Sequence, residues 1–418
     1  MSTATHAQTP GKERAILLML TAVQFTHILD YMIIMPLGSH LMRVFGITPG
    51  QFSHLVAAYG IAAALTGFTG GFFLDRFDRK LALLTLYTGF GLATLACALA
   101  PTYHSLLIAR FAAGGFGGVA SSVLTAMIGD VIPPARRGRA MGMVGAAFPI
   151  ASVLGVPLGL LLAEHFEWHA PFFLLGGVSA LVLALGIQVL PRLHVVHAPA
   201  HPWRQMKAIL THPVHQRGFL LSAALVFAGG SIIPFLAPSM VANVGVPESR
   251  LWLIYAAGGV CTFASTPIFG WLSDRHDKLH VLGWLTLAGA CVVLILTNLP
   301  AAPVGVAMLV TALFMVTMSG RFTPAMAMMA NAVEARYRGG FMSVNSAVQQ
   351  ATSGLANITA GALVTSDAAG RLVGYPRVGL ISLTFFGLTF YMAWRLRAIA
   401  PHAARPGHIA APGAAAVD

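Results

Sequence analysis

Long apolar runs separated by short polar breaks follow one another along almost the whole chain. Each run is close to twenty residues, enough for a helix rising ~1.5 Å per residue to cross ~30 Å of hydrocarbon. The pattern predicts twelve spans, at roughly 15–38, 51–74, 81–100, 105–130, 140–163, 171–190, 217–241, 250–272, 281–299, 303–328, 341–364 and 377–396. The first run follows Lys12 and Arg14, but it is too long for a signal-peptide core and Asp30 interrupts it, so it reads as a span.

The breaks repeat as well. GGFFLDRFDRK at Gly70–Lys80 has a relative in FGWLSDRHDKL at Phe269–Leu279, with Gly71 and Gly270 lying 199 positions apart. RRGRAMG and YRGGFMS align Arg137 with Arg338, 201 positions apart. Two nearly equal offsets predict a duplicated unit of six spans, with matching charged loops after the second and fourth span of each half. The predicted organisation is a cytoplasmic N-terminal tail (1–14), a first six-helix bundle (15–190), a central cytoplasmic linker (191–216), a second bundle (217–396) and a flexible cytoplasmic tail (397–418). His194, His197 and His201 fall in the linker, whose composition is that of a solvated connector and not of a metal site.

Composition sharpens this picture: 57% of residues are hydrophobic and 9% charged, with a mean hydropathy of +0.77, outside the range of soluble domains. Cys97, Cys261 and Cys291 sit inside apolar runs and give no disulfide framework. A formal charge of +12 invites a nucleic-acid reading, yet topology explains it. With the N-terminus inside, nineteen basic residues fall in inward loops and tails, and four (Arg43, Arg250, Arg371 and Arg377) fall outside. That bias sets both termini in the cytoplasm. No GxxxxGK[ST] loop is present to bind a nucleotide, and no set of nucleophile, base and oxyanion donors converges at catalytic spacing.

The pattern GxxxDRxxRK after span two, within two related halves of six spans, resembles the major facilitator superfamily over nearly the whole chain. Gly71, Asp75, Arg76, Arg79 and Lys80 carry it, with a weaker copy at Gly270, Asp274, Arg275 and Lys278. Where the family usually has glycine before the last basic pair, this chain has Asp78, which predicts a less permissive backbone there. RFAAGGFGG from Arg110 is similar to the family's intramembrane arginine motif, and GVPLG, with Gly155, Pro157 and Gly159, to the antiporter motif of its proton-driven exporters. The resemblance implies an all-α membrane protein of twelve helices in two pseudo-symmetric bundles. It also implies a conformational latch in which Asp75 contacts the start of span eleven and Arg79 bridges to Asp130.

Ionisable residues inside the spans are the candidates for chemistry, because each is costly to bury. Of the thirteen acids only Asp30 lies well within a span. An ionised, unpaired carboxylate there costs several kcal/mol, which makes it a candidate reversible proton site, with His27 and Arg110 tuning it. Gln24, His27 and Asp30 or Tyr31 are three or four apart, which predicts one helical face toward a water-filled cavity. Arg321 in span ten has no acid left to pair with if Arg110 takes Asp30, which suits either an anionic substrate group or backbone carbonyls near Pro324. Span eleven offers Gln349, Gln350 and Asn357 for substrate hydroxyls or for interhelical hydrogen bonds. Met315, Met318, Met326, Met328 and Met329 are candidates for an adaptable apolar wall.

These readings predict a proton-coupled secondary transporter of the bacterial-type inner membrane that exports a small molecule by alternating access. Its partners would be substrate, protons and membrane lipid, without nucleic acid or cofactor, and it would act as a monomer. The rivals are a proton symporter importing a sugar or organic anion, and a non-transporting sensor or lipid-handling protein.

Overall fold

The computed structural model describes residues 10–73, 77–133, 136–191 and 202–406. These residues form α1 (Pro10–Ile33), α2 (Gly38–Phe45), α3 (Pro49–Phe73), α4 (Arg79–Ala98), α5 (Tyr103–Val131), α6 (Arg137–Gly145), α7 (Ala147–Ile150), α8 (Val156–Phe166), α9 (Ala170–Val189), α10 (Pro202–Thr211), α11 (Pro213–Gly230), α12 (Leu236–Ala242), α13 (Leu251–Arg275), α14 (Lys278–Thr297), α15 (Val304–Ala332), α16 (Ala335–Leu363) and α17 (Tyr375–Ile399). A π-helical turn, Ala151–Gly155, joins α7 to α8, so that Arg137–Phe166 runs as one broken helix, and Pro213–Ala242 is another. Among the described residues this makes twelve long segments, eleven of them apolar and long enough to cross a bilayer. The other is α16, long enough at 29 residues but interrupted by Ser346, Gln349, Gln350, Ser353 and Asn357. The all-α architecture is the one the apolar pattern predicts.

Polar breaks end these helices by identifiable chemistry. Thr102 and Ser105 form a reciprocal capping box at the start of α5. Asp78 accepts from the Leu81 backbone N–H at 2.9 Å and Asp277 accepts from that of Leu279 at 2.9 Å, each capping the following helix. Asp78 has φ −57° and ψ 126°, a conformation open to any residue. The expected loss of permissiveness is therefore no penalty, because the acid replaces the family's glycine with a cap.

Some boundaries differ from the pattern. The first helix ends at Ile33, not near 38, and a turn through Pro36 leads into the short α2. The linker contains α10, whose Ile209 carbonyl meets His215 Nδ1 at 3.0 Å; residues 192–201, with His194, His197 and His201, lie outside the described residues. The tail expected to be flexible from 397 is ordered further. Helix α17 continues to Ile399, a 3-10 turn spans Pro401–Ala404 with Ala403 and Ala404 buried, and Lys278 Nζ donates to the Arg405 carbonyl at 2.8 Å. Small side chains and a buried cation hold this segment against α14 and α15.

Small residues set how closely the helices cross. In α5, Gly114 and Gly118 face the backbone of Tyr59 and Ala63 in α3. The two halves meet where α3 packs on α16 and where α13 packs on the π turn and α8. A Cβ on Gly60 would lie 3.1 Å from the Gln350 carbonyl, and one on Gly259 would lie 2.8 Å from the Ser152 carbonyl. At the face away from the chain ends, Arg43 grips Glu248 through two hydrogen bonds of 2.7 and 2.8 Å, and Phe52 meets Phe235 edge to face. Between the halves lies a cavity of about 570 Å³, lined by residues of both.

A Cβ on Gly118 would lie 2.6 Å from Ala63 Cα, whereas nothing lies within 4 Å of one on Gly177. Gly118→Ala is expected to lower the melting temperature of the purified protein, at a cost of ~1–3 kcal/mol from forced backbone separation. Gly177→Ala is expected to leave it unchanged or raised, since alanine stabilises an open helical site by ~0.5–1 kcal/mol.

Candidate functional site

The cavity is built from both halves. Gln24, Tyr31, Arg321, Gln349, Gln350 and Asn357, six residues singled out in the sequence, all line it. Met315 and Met318 line it too, but Met328 and Met329 belong to the core that packs under α11. Met326 contacts the Gln349 amide instead, with its sulfur 3.7 Å from Nε2.

Helix α1 divides its polar residues between two faces. Gln24, Ile28 and Tyr31 face the cavity, while His27 and Asp30 are buried behind it against α4 and α5. The expected single face is thus corrected. At ~100° per residue, position 30 lies about 120° around the helix from position 24, whereas position 31 returns to within about 20° of it.

Behind the cavity wall, Asp30 is fully buried. Arg110 Nη1 donates to Asp30 Oδ2 at 2.8 Å and to the Asp30 carbonyl at 3.0 Å. Thr94 donates to Oδ1 at 3.3 Å. The Arg110 guanidinium lies 4.7 Å from the centroid of the Tyr59 ring. Tyr59 in turn packs on Tyr31 at 5.4 Å, and Tyr31 shares a 2.7 Å hydrogen bond with Ser353 of α16. A connected path therefore runs from the buried ion pair, through two aromatic rings, to the opposite half.

His27 is placed differently from its expected role. Its ring packs edge-on against Phe90 at 4.2 Å and tilts over Tyr87 at 5.6 Å. Both ring nitrogens are buried without a hydrogen-bond partner. The structure brings it near the pair in sequence but into an aromatic pocket.

GVPLG seats the helix that carries Asp30. Gly155 faces the side-chain end of Leu29 and Gly159 that of Ile33, so a Cβ at either position would push that side chain aside. Pro157, which lacks an N–H, follows the π turn in which the regular ladder is already shifted.

In the charged loops, Arg79 Nε lies 3.1 Å from Asp130 Oδ2 and Lys80 Nζ donates to the Ile187 carbonyl at 2.6 Å. Gly71 falls in the last turn of α3, while Asp75 and Arg76 lie outside the described residues. The second copy is arranged otherwise. Asp274 and Arg275 are exposed, and Arg275 stacks on Trp271 at 4.6 Å. It is Asp277 that pairs with Arg397, at 2.9 Å. The repeat offset of 199 relates Asp78 to Asp277 and could have located that acid.

Arg321 is fully buried. Its guanidinium stacks on Phe386 at 3.9 Å, Nη2 touches the Met318 sulfur at 2.7 Å, and Nε and Nη1 have no partner.

The family profile of the Major Facilitator Superfamily matches residues 20–229 and again residues 218–415. The chain belongs to the Major Facilitator Superfamily. The curated relatives it matches carry transporter names. It is 30% identical over 181 residues to the MFS-type transporter YceJ of Bacillus subtilis (strain 168), a match covering 43% of this chain and 46% of that protein. It is 28% identical over 179 residues to the MFS-type transporter YhcA of the same organism, covering 41% of this chain and 34% of that one. The chain thus matches under half the length of these curated relatives. Among solved structures, a bacterial homologue of the human lysosomal transporter Spinster, inward-facing and occupied, superposes with a TM-score of 0.76 at 16% identity, over 97% of this chain and all of that one. A D-xylose-proton symporter superposes with a TM-score of 0.73 at 17% identity, over 92% and 97%. At these identities the likeness is one of superfamily fold.

Removing Arg110 from this superfamily site strands a buried carboxylate. Arg110→Ala is expected to cost ~3–5 kcal/mol, read as a large loss of melting temperature. The double variant Asp30→Leu, Arg110→Met is expected to recover most of it. Equal damage in both would mean that packing, not charge, holds the site.

Proposed function

We propose that this superfamily member is a proton-coupled secondary transporter that exports a small organic molecule by alternating access, with Asp30 as the proton site. The observation that carries the reading is the Asp30–Arg110 pair, because Asp30 is the one fully buried acid among the described residues. Protonating Asp30 neutralises the carboxylate and frees the Arg110 guanidinium, which rests on Tyr59 of α3. Tyr59 adjoins Gly60, where α3 packs on α16, so a change at the pair bears on the contact between halves. The two bundles, 15–190 and 217–396, rock about that contact. The cavity residues Gln24, Tyr31, Gln349, Gln350 and Asn357 meet the solute, and no cofactor takes part.

In this reading the chain works as a monomer in a bacterial-type inner membrane with both termini cytoplasmic, as the basic loops favour. The Arg43–Glu248 pair then ties the halves together at the outer end. Resemblance of GVPLG to the antiporter motif favours export. A second reading, proton symport of an organic anion, is favoured by the unpaired Arg321. The direction of solute flux in proteoliposomes under an imposed pH gradient separates the two.

Infrared difference spectra of the wild type, taken between mildly acidic and mildly alkaline buffer, are expected to show a carboxylic-acid band that Asp30→Asn lacks. A band that never appears leaves Asp30 permanently ionised and ends the proton-site reading.

Glu248→Ala removes an exposed ion pair, worth up to about 1 kcal/mol, from the closed outer end. Ser53, fully buried between the halves beside Gly361, reports on opening there. Alkylation of Ser53→Cys is expected to quicken by up to about fivefold in the Glu248→Ala background.

A further inference from the structure

We infer that Arg321 anchors an organic anion, a planar carboxylate on an apolar body, in the central cavity. The inference rests on reading that cavity as the transporter's substrate site.

Charge supplies the first observation. Arg110 is neutralised by Asp30, but Arg321 has no carboxylate within ion-pair distance among the described residues, so the cavity region carries one uncompensated positive charge. Among the described residues its only polar contact is the Met318 thioether, a weak acceptor.

Unsatisfied groups supply the second. Five buried polar atoms of the lining lack partners: Arg321 Nε and Nη1, Asn357 Nδ2, Tyr255 Oη and Thr262 Oγ1. The three nitrogens can only donate, and the two hydroxyls donate or accept. None of the five is an acceptor alone, so a ligand that satisfies them brings acceptors. A carboxylate matches the guanidinium fork with two parallel bonds.

Met32, Met35, Phe148, Val156 and Phe322 make much of the remaining wall, which suits an apolar body. The flexible Met318 thioether stands where a ligand oxygen would accept from Arg321 Nη2 and swings aside for it.

The test is binding of benzoate, its neutral isostere benzamide and the cation benzyltrimethylammonium to the purified full chain, by thermal shift and calorimetry. Benzoate alone is expected to raise the melting temperature. Arg321→Gln is expected to weaken benzoate at least about tenfold, with no loss of ligand-free melting temperature, because a buried unpaired charge is removed. Arg321→Lys, which keeps the charge without the fork, is expected to bind benzoate more weakly and still prefer it to benzamide. Equal shifts from benzoate and benzamide, no shift from benzoate, or undiminished binding by Arg321→Gln overturns the inference. If benzoate fails while the Asp30 infrared band titrates, the anion site alone falls. If benzoate binds selectively and the band is absent, the proton-site reading falls and the anion site stands.

Discussion

Placing a charge in a dry interior is the costliest thing this sequence does, and the Asp30–Arg110 pair is where it is done with compensation. Four helices converge on that pair: α1 brings Asp30, α5 brings Arg110, α4 brings Thr94, and α3 lays Tyr59 over the guanidinium. The convergence needs close helix crossings, and the glycines supply them. Gly114 and Gly118 let α5 reach α3, while Gly155 lets the π turn, and Gly159 lets α8, lie against the segment of α1 around Leu29 and Ile33. The small residues of the first half thus serve the geometry of one ion pair.

Helices, duplication and superfamily were legible in the sequence because they depend on local composition and on offsets that can be subtracted. Placement within a helix was harder. Positions 24, 27, 30 and 31 all satisfy a three-or-four spacing, yet that rule tolerates a drift of up to about 60° per step, and one step carries His27, and two carry Asp30, off the cavity face. Contacts between distant segments left almost no trace. Arg43 and Glu248 are separated by 205 positions, and nothing local distinguishes them from other loop charges. Asp277 is an intermediate case: it stands at the repeat offset from Asp78, but the family pattern falls on Asp274 instead. The ordered start of the C-terminal tail was hidden because alanine and proline read as loose chain until a surface is present to receive them, as α15 and α17 receive Ala403 and Ala404.

The halves share a fold and differ in electrostatics. In the first half a buried arginine meets an acid, and in the second a buried arginine meets a phenyl face and a thioether. Cation–π contact with Phe386 contributes on the order of 2 kcal/mol when desolvated, less than the several kcal/mol that burying an ion costs. The second site is therefore held in an unsatisfied state by the surrounding fold. A group maintained that way is poised for a partner that arrives from outside.

Coupling between the two sites has a sign that charge alone fixes. A proton on Asp30 leaves Arg110 uncompensated and raises the positive charge behind the cavity wall, while an anion on Arg321 lowers it. Each event favours the other, and by linkage the preference is reciprocal. On the proposed reading, electrostatics alone would make an anion and a proton travel together. Exchange in opposite directions requires a stronger term of contrary sign, and the Tyr31–Ser353 contact is where one can arise. Tyr31 belongs both to the cavity wall and to the path that ends on Arg110, so a solute that displaces its hydroxyl from Ser353 disturbs the same aromatic chain that protonation disturbs. If occupancy of the cavity and protonation of Asp30 demand incompatible positions of the Tyr31 and Tyr59 rings, export by exchange follows even for an anion. If they tolerate the same position, the attraction between the charges prevails and the solute moves with the proton.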